Sequence, residues 1–181
     1  LMPLMLGDLS DPQKSFIVRE IEGKIAEHWS YQAFYDIVLK TAHNLLGRGI
    51  APGERVAIVA KEGNCVEVII HWFAVNAIGG VAAILDSALT SSELQKQLEH
   101  LQPKLVIDDS NLLTLIGGWR AIGAPVELPE RAPAVIVYSS GSTGETKGVV
   151  ESHYNYIITG EAFPHWLGLK PHDRLYTCLP L

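Results

Sequence analysis

The segment from Tyr138 to Gly148, YSSGSTGETKG, combines serine and threonine hydroxyls, three glycines and one lysine. It follows the apolar run AVIV at 134–137, which is typical of a buried parallel strand. Glycines let backbone N–H groups converge on an anion, hydroxyls add donors, and Lys147 adds a positive charge. Open α/β sheets bind ligands at the ends of such strands. The segment is therefore a candidate phosphate-binding loop, and a solvated turn is the competing interpretation.

Two common nucleotide-binding patterns do not fit the spacing of this loop. Counted from Gly141, the Walker A pattern requires glycine at 146 and serine or threonine at 148, where Thr146 and Gly148 stand. The dinucleotide pattern Gly-x-Gly-x-x-Gly fails because Gly141 is followed by the next glycine at Gly144. The residues after Lys147 read as a strand, so no helix N-terminus is predicted to face the phosphate. The Gly-x-Ser-x-Gly elbow of α/β-hydrolases is also absent.

The elements that must position this loop alternate between strand and helix patterns along the chain. This alternation predicts an α/β fold with a mostly parallel sheet and crossover helices. A hairpin is predicted around Glu22-Gly23, and residues 110–133 read as a surface connection. Predicted strands cover residues 55–60, 81–85, 104–108, 135–138, 148–151 and 174–178, and predicted helices begin after Ser30, at Asn64, after Thr90 and at His153.

Composition excludes several classes of function. The formal net charge of −6 argues against a general nucleic-acid or anionic-membrane binder, since either would need a basic face. The apolar stretch 66–85 is interrupted by Glu67, His71 and a glycine pair, so a buried helix and strand fit better than a membrane span. Cys65 and Cys178 lack metal-ligand spacing and read as free thiols, and no metal-binding residues are predicted. No signal peptide is visible, which favours a cytoplasmic location.

The loop resembles the signature of the adenylate-forming superfamily of AMP-binding enzymes, which includes acyl-CoA synthetases, luciferases and peptide-synthetase adenylation domains. That signature runs Ser/Thr-Ser-Gly-Ser/Thr-Thr-Gly-x-Pro-Lys-Gly-Val, and residues 139–149 read SSGSTGETKGV, with Thr146 replacing proline. Threonine leaves the backbone freer there without removing a phosphate ligand, so loop order or affinity should change more than the chemistry. Further segments that match the family are 49–58, 76–80, 88–94, His153 with Asn155, and 179–181.

The resemblance implies an activity and a set of site residues. Enzymes of this superfamily join a carboxylic acid to ATP, release pyrophosphate, and usually pass the acyl group to coenzyme A. The expected cofactors are ATP and Mg²⁺, with coenzyme A as a second substrate. By position, Lys147 and Thr143 would serve catalysis, and His153 either lines the site or begins a helix. The residues expected to bind the nucleotide phosphates are Ser139, Ser140, Gly141, Ser142, Thr143, Gly144 and Lys147.

The same resemblance organises the chain into a short extension at 1–14, βαβ units at 15–133, and the loop with a following strand–helix–strand at 134–181. In family terms the adenine, ribose and hinge motifs and the C-terminal domain are absent. We therefore expect the N-terminal portion of a large domain, inactive until the remaining polypeptide completes the sheet, with oligomeric state open. The expected function is that of a carboxylic acid–CoA ligase. The alternatives are another adenylating enzyme, such as a peptide-synthetase adenylation domain or acyl-AMP ligase, and a non-catalytic ATP-binding module.

Overall fold

The computed structural model describes residues 11–140, 146–170 and 172–176. A two-stranded hairpin is followed by a five-stranded sheet with crossover helices. The elements are β1 (Ser15–Ile21), β2 (Lys24–Ser30), α1 (Tyr31–Gly47), β3 (Arg55–Ala60), α2 (Cys65–Ala77), β4 (Val81–Asp86), α3 (Ser91–Leu101), β5 (Leu105–Ile107), α4 (Leu112–Leu115), β6 (Pro133–Ser140), β7 (Thr146–Ser152) and α5 (His153–Leu167).

The five-stranded sheet has the order β5-β3-β4-β6-β7. Strands β5, β3, β4 and β6 are parallel, and β7 is antiparallel to β6. The predicted α/β class with a mostly parallel sheet is therefore confirmed. β6 pairs with β4 only from Val135 to Val137, opposite Ala82 to Ile84, so the far end of β6 continues beyond the pairing with β4.

The core lies on both faces of the sheet. α1 and α2 cover one face, where Val56 and Ile58 of β3 are fully buried, and Ala57 belongs to a second cluster with α3 on the other face. Strands covered on both sides need apolar residues at every position, which explains the near-continuous apolar sequence of β3 and β4. The stretch 66–85 is a buried helix and strand, as predicted. Within the described ranges, no helix has both the length and the apolar character needed to span a bilayer.

Local capping explains where three helices begin. The Ser30 hydroxyl accepts a hydrogen bond from Ala33 N (3.2 Å), and Ser152 accepts one from Asn155 N (3.3 Å). Thr90 forms a capping box with Glu93, because the threonine hydroxyl accepts from Glu93 N while the carboxylate accepts from Thr90 N (2.9 Å). The predicted starts after Ser30 and Thr90 are confirmed.

Two segments differ from the sequence prediction. The connection at 110–133 is largely on the surface, yet its first part is anchored, because the Asn44 amide donates to the carbonyls of Leu115 and Gly117. Residues 174–176 of the last predicted strand are irregular and exposed, and the rest of that strand lies outside the described residues. A strand pattern forms a strand only where a neighbouring edge accepts its backbone hydrogen bonds, and residues 174–176 pair with no strand of the described part.

Candidate phosphate-binding site

The hairpin β6–β7 carries both ends of the candidate loop. β6 runs parallel to β4 and reaches its last residue, Ser140, at the carboxyl edge of the sheet. The chain returns at Thr146, which pairs with Ser140, and the next pair is Ser139 with Lys147. The loop therefore leaves and re-enters the fold at the edge where parallel sheets bind ligands, as the sequence predicts.

Ser139 and Lys147 are brought together by this register. Directly opposed residues of an antiparallel pair place their Cβ atoms about 4.5–5.5 Å apart on one face of the sheet. Both side chains are exposed. Lys147 forms no ion pair with any residue in the described ranges. The arrangement offers one positive charge and one hydroxyl at the base of the loop.

The remaining predicted phosphate ligands lie outside the described residues. They are Gly141, Ser142, Thr143 and Gly144, and the side chain of Ser140 is outside the described part as well. Their roles stay predictions from the sequence.

Tyr138 and Gly148 form the base of the hairpin next to this pair. They are directly opposite in the register, and a Cβ atom on Gly148 would lie 3.1 Å from Ile136 Cγ2 and 3.5 Å from the Tyr138 ring. Glycine at 148 therefore leaves room for the Ile136 side chain, and the Tyr138 ring lies at ordinary contact distance from the same position of β7. Burial raises the pKa of the Tyr138 hydroxyl. Sequence reasoning missed this contact, although an aromatic residue opposite a glycine is a recognisable cross-strand signal.

His153 lies at the opposite end of β7 from Lys147. The separation is six residues of extended chain, or about 20 Å, and the imidazole is buried where α5 begins. Burial lowers its pKa to about 4, so the ring is neutral at pH 7. Neither ring nitrogen has a hydrogen-bond partner within the described part of the chain. Of the two roles considered for His153, the structure places it with the helix start and apart from Ser139 and Lys147.

Asp108 and Asp109, which follow β5, both accept hydrogen bonds from neighbouring side chains. Asp109 accepts a hydrogen bond from the Lys61 ammonium group at 2.8 Å. Asp108 accepts from both the hydroxyl and the N–H of Ser110, and the hydroxyl contact lowers the pKa of the carboxyl group. These side chains border a cavity of about 290 Å³ that includes Ser87. No group of three potential metal-binding side chains is found among residues 11–140, 146–170 and 172–176.

A second cavity is apolar, and neither Ser139 nor Lys147 lines it. It measures about 330 Å³ and is lined by Phe16, Ile17, Val68, Ile69, Trp72, Phe73 and Ile84. Phe73 is buried, and the half-buried Trp72 packs edge-on against Tyr156 of α5 at a centroid distance of 5.3 Å. Both residues belong to the helix core, as predicted. Cys65 is a free, half-buried thiol, and Cys178 lies outside the described residues.

Comparison with known proteins identifies a family and several relatives that resemble this chain. The sequence model of the family described as AMP-binding enzyme matches residues 10–181. A very long-chain fatty acid transport protein of Cochliobolus heterostrophus is 30% identical, over 88% of this chain and 28% of that protein. A 2-succinylbenzoate–CoA ligase of Listeria monocytogenes is 27% identical, over 84% of this chain and 34% of that protein.

The solved structures agree on the fold. ATP-bound MatB from Rhodopseudomonas palustris superposes with a TM-score of 0.83 at 24% identity, covering 98% of this chain and 39% of that one. At this identity the likeness concerns architecture alone. The chain thus spans about 28–34% of the length of these two curated relatives.

Proposed function

The chain belongs to the family of AMP-binding enzymes, and from that premise we propose that it is the N-terminal part of an ATP-dependent carboxylic acid–CoA ligase. The full-length protein would convert an acid and ATP into an acyl-adenylate and pyrophosphate, and then transfer the acyl group to the thiol of coenzyme A with release of AMP. The observation that carries this proposal is the pairing of Ser139 with Lys147 at the carboxyl edge of the sheet. The relative from Listeria monocytogenes is named as a CoA ligase, which supports coenzyme A as the thiol that accepts the acyl group.

In the proposed reaction, a carboxylate oxygen of the substrate attacks the α-phosphorus of ATP, and the bond from that phosphorus to the bridging oxygen breaks. The electron pair leaves with pyrophosphate. The Lys147 ammonium group would stabilise this developing charge, with hydroxyls of Ser139 and Thr143 as neutral donors. Each charge-assisted contact contributes about 1.5–3 kcal/mol. No side-chain nucleophile is needed, so the serines act as ligands and are not acylated.

Magnesium fits this scheme as part of the nucleotide substrate. Mg²⁺ is usually bound through one or two carboxylates together with substrate phosphates, and not by an all-protein cage. The base of the loop offers hydroxyl and ammonium groups and no cluster of carboxylates in the described part of the chain. We therefore propose that Mg²⁺ arrives with ATP and neutralises phosphate charge there, while Lys147 and the loop hydroxyls orient the phosphates.

The remaining polypeptide is proposed to cover the outer side of β7 and α5. Val149 and Val150 in β7, together with Phe163 and Trp166 in α5, are exposed apolar side chains on neighbouring elements. An edge strand and a helix that expose several large apolar side chains are candidates for an interface, and the chain spans about a third of the length of its relatives. On this basis residues 1–181 alone should form no thioester. Thioester formation by this segment alone would contradict the proposal.

The decisive experiment is carboxylate-dependent ATP–pyrophosphate exchange with the full-length protein and a panel of carboxylic acids, with and without coenzyme A. Exchange followed by thioester formation supports the CoA ligase. Exchange without thioester formation supports an acyl-AMP ligase or a peptide-synthetase adenylation domain. Binding of ATP without exchange, for every acid tested, supports a non-catalytic ATP-binding module.

Lys147→Ala in the same protein should lower the kcat/KM for ATP by about 10²–10³-fold, the usual loss when one transition-state charge contact is removed. The matched control is Lys24→Ala, which removes an exposed lysine of β2 on the separate hairpin. It should leave kcat/KM within twofold of wild type. Equal turnover of Lys147→Ala and wild type would contradict the assignment of the loop.

A further inference from the structure

Tyr138, near the end of β6, contacts α3, which packs on the opposite face of the sheet from α2. Its hydroxyl lies 3.3 Å from the main-chain carbonyl of Gln97 and 3.0 Å from Nδ1 of His100. A carbonyl can only accept, so the tyrosine donates to Gln97 and accepts from the His100 N–H. The imidazole and phenol rings also meet edge-on at a centroid distance of 5.9 Å. One phenol therefore makes two polar contacts with a single helix.

The helix that receives these contacts is itself well fixed. The capping box of Thr90 and Glu93 closes its N-terminus. Leu101 is buried, and Leu94 and Leu98 are partly buried against the same cluster of the sheet. α3 is therefore anchored to the sheet through its leucines, and a hydrogen bond to it restrains the partner.

The end of the hairpin that carries the loop has little other support from the sheet. The pairing of β6 with β4 stops at Val137, one residue before Tyr138. β7 is the last strand in the sheet order, and Val149 and Val150 on it are about half exposed. Beyond Val137, then, the two strands extend from the sheet as a ribbon, and isolated two-stranded ribbons are only marginally stable. The Tyr138 hydroxyl contacts α3 at the point where this ribbon begins.

We propose that Tyr138 is a positioning residue for the phosphate loop, acting through Gln97 and His100 of α3. The phenol ring contacts Gly148 and the hydroxyl is held by α3, so both strands are fixed at the cross-strand pair next to Ser139 and Lys147. Tyr138 itself touches no phosphate in this scheme. The inference rests on the proposed function of the loop as an ATP-phosphate site.

The test compares wild-type full-length protein with Tyr138→Phe, which keeps the ring over Gly148 and removes only the hydroxyl. Hydrogen–deuterium exchange of peptides covering 138–152 is measured first, without nucleotide. Exchange of the β7 amides should accelerate by at least about 2–10-fold, the equivalent of losing one of the two hydrogen bonds of the hydroxyl. Peptides covering β3 and β4 should be unchanged. In steady-state kinetics the KM for ATP should rise by a similar factor, with the KM for the acid unaltered.

Two further variants separate positioning from general destabilisation. Tyr154→Phe removes a phenol hydroxyl from α5, where the ring contacts Arg131, and should change neither measurement. His100→Phe should give a smaller effect than Tyr138→Phe, because the Gln97 carbonyl still accepts from the tyrosine. His100→Gln should behave nearly like wild type, because the glutamine amide can donate a hydrogen bond to the Tyr138 hydroxyl in place of the imidazole.

The inference is overturned if Tyr138→Phe exchanges like wild type at residues 146–152, or if exchange accelerates equally in β3 and β4. It is also overturned if the KM values for ATP and acid rise together. Hydrogen exchange needs no activity, so it decides whether Tyr138 holds the hairpin even if the wild-type protein shows no pyrophosphate exchange. An absence of pyrophosphate exchange in the wild-type protein would count against the proposed function of the loop, and not against the contact between Tyr138 and α3.

Discussion

The β3–α2–β4 unit and the hairpin β6–β7 with α5 belong to one sheet, but they bury very different fractions of their side chains. Across β3, α2 and β4 the exposed residues are Arg55 and Asp86, at the start of β3 and the end of β4. In the hairpin and α5, by contrast, Val150 is 56% exposed and Trp166 is 72% exposed. α5, whose residues are all described, buries one side chain, His153.

This difference in burial suggests that one region of the molecule provides stability and the other binds the ligand. The buried unit supplies the apolar contacts that make a fold stable, and its functional side chains are few. The hairpin carries Ser139 and Lys147 on exposed positions and depends on neighbours for support. Binding elements are commonly drawn from the less stable parts of a protein, because they have fewer buried contacts and adjust to ligand more easily. We expect substitutions in the two regions to differ accordingly.

The largest difference in unfolding free energy should be seen when a buried and an exposed isoleucine are each replaced by alanine. Ile58 of β3 is fully buried, whereas Ile158 of α5 is 43% exposed. Ile58→Ala should lower the free energy of unfolding of residues 1–181 by about 2–5 kcal/mol, because it leaves a cavity in the core. Ile158→Ala should cost less than about 1 kcal/mol. Urea unfolding of both variants measures the difference, and equal costs would show that α5 is packed as tightly as β3.

The next effect is a dependence of stability on pH. The pKa of His153 is about 4 in the folded state and 6.5 for an unperturbed histidine. Between these values the unfolded chain binds a proton that the folded chain does not. His153 therefore reduces stability as pH falls from 6.5 to 4, by about 1.4 kcal/mol per pH unit, and its contribution is constant above and below that range.

His153→Phe should remove this contribution, measured as the difference between the wild-type and variant unfolding free energies at pH 6.5 and 4.5. Burial also lowers the pKa of His71 in α2, where Nε2 bonds to the Leu112 carbonyl at 2.8 Å. His71→Phe is the matched variant from the buried unit and should change the slope in the same direction. A His153→Phe variant with the wild-type pH dependence would show that this imidazole already titrates normally.

The smallest effect concerns the two helix caps. Thr90→Ala removes the hydroxyl that accepts from Glu93 N and donates to the Glu93 carboxylate at α3, and Ser152→Ala breaks one bond at α5. Loss of a cap costs about 0.5–2 kcal/mol. We expect Thr90→Ala to lie near the upper end and Ser152→Ala near the lower end, as judged by thermal or urea unfolding. The reverse order would mean that α5 depends on its first turn more than its exposure suggests.

Local patterns in the sequence were sufficient for most elements of the fold. The hydroxyl at Ser30 and the Thr90–Glu93 spacing set helix starts within a few residues, and such bonds need no distant partner. The register of β6 beside β4 could not be derived, because it depends on residues far apart in the chain. The same holds for the Asn44 contact with Gly117, across 73 residues, and the Tyr138 contact with Gln97, across 41.

The candidate site divides in the same way. The glycines, hydroxyls and Lys147 after a buried strand made the segment a candidate phosphate loop, and the resemblance to the family named its residues. The structure places Lys147 across from Ser139. The sequence allowed two roles for His153, because a histidine that follows a loop motif can line the binding site or begin the next helix. Its distance from Lys147 follows from the length of β7, which extends straight to Ser152. The roles of Ser140, Gly141, Ser142, Thr143 and Gly144 remain predictions.

The three-residue pairing between β4 and β6 also has a consequence for folding kinetics. The β6–β7 hairpin closes between neighbours in sequence, whereas Ala82 meets Val135 only after an intervening stretch of about fifty residues has been ordered. Non-local pairings carry the larger loop-closure cost, so joining the hairpin to the parallel unit should be a late and slow event. Until it occurs, the binding hairpin would be a marginally stable two-stranded ribbon beside the buried unit.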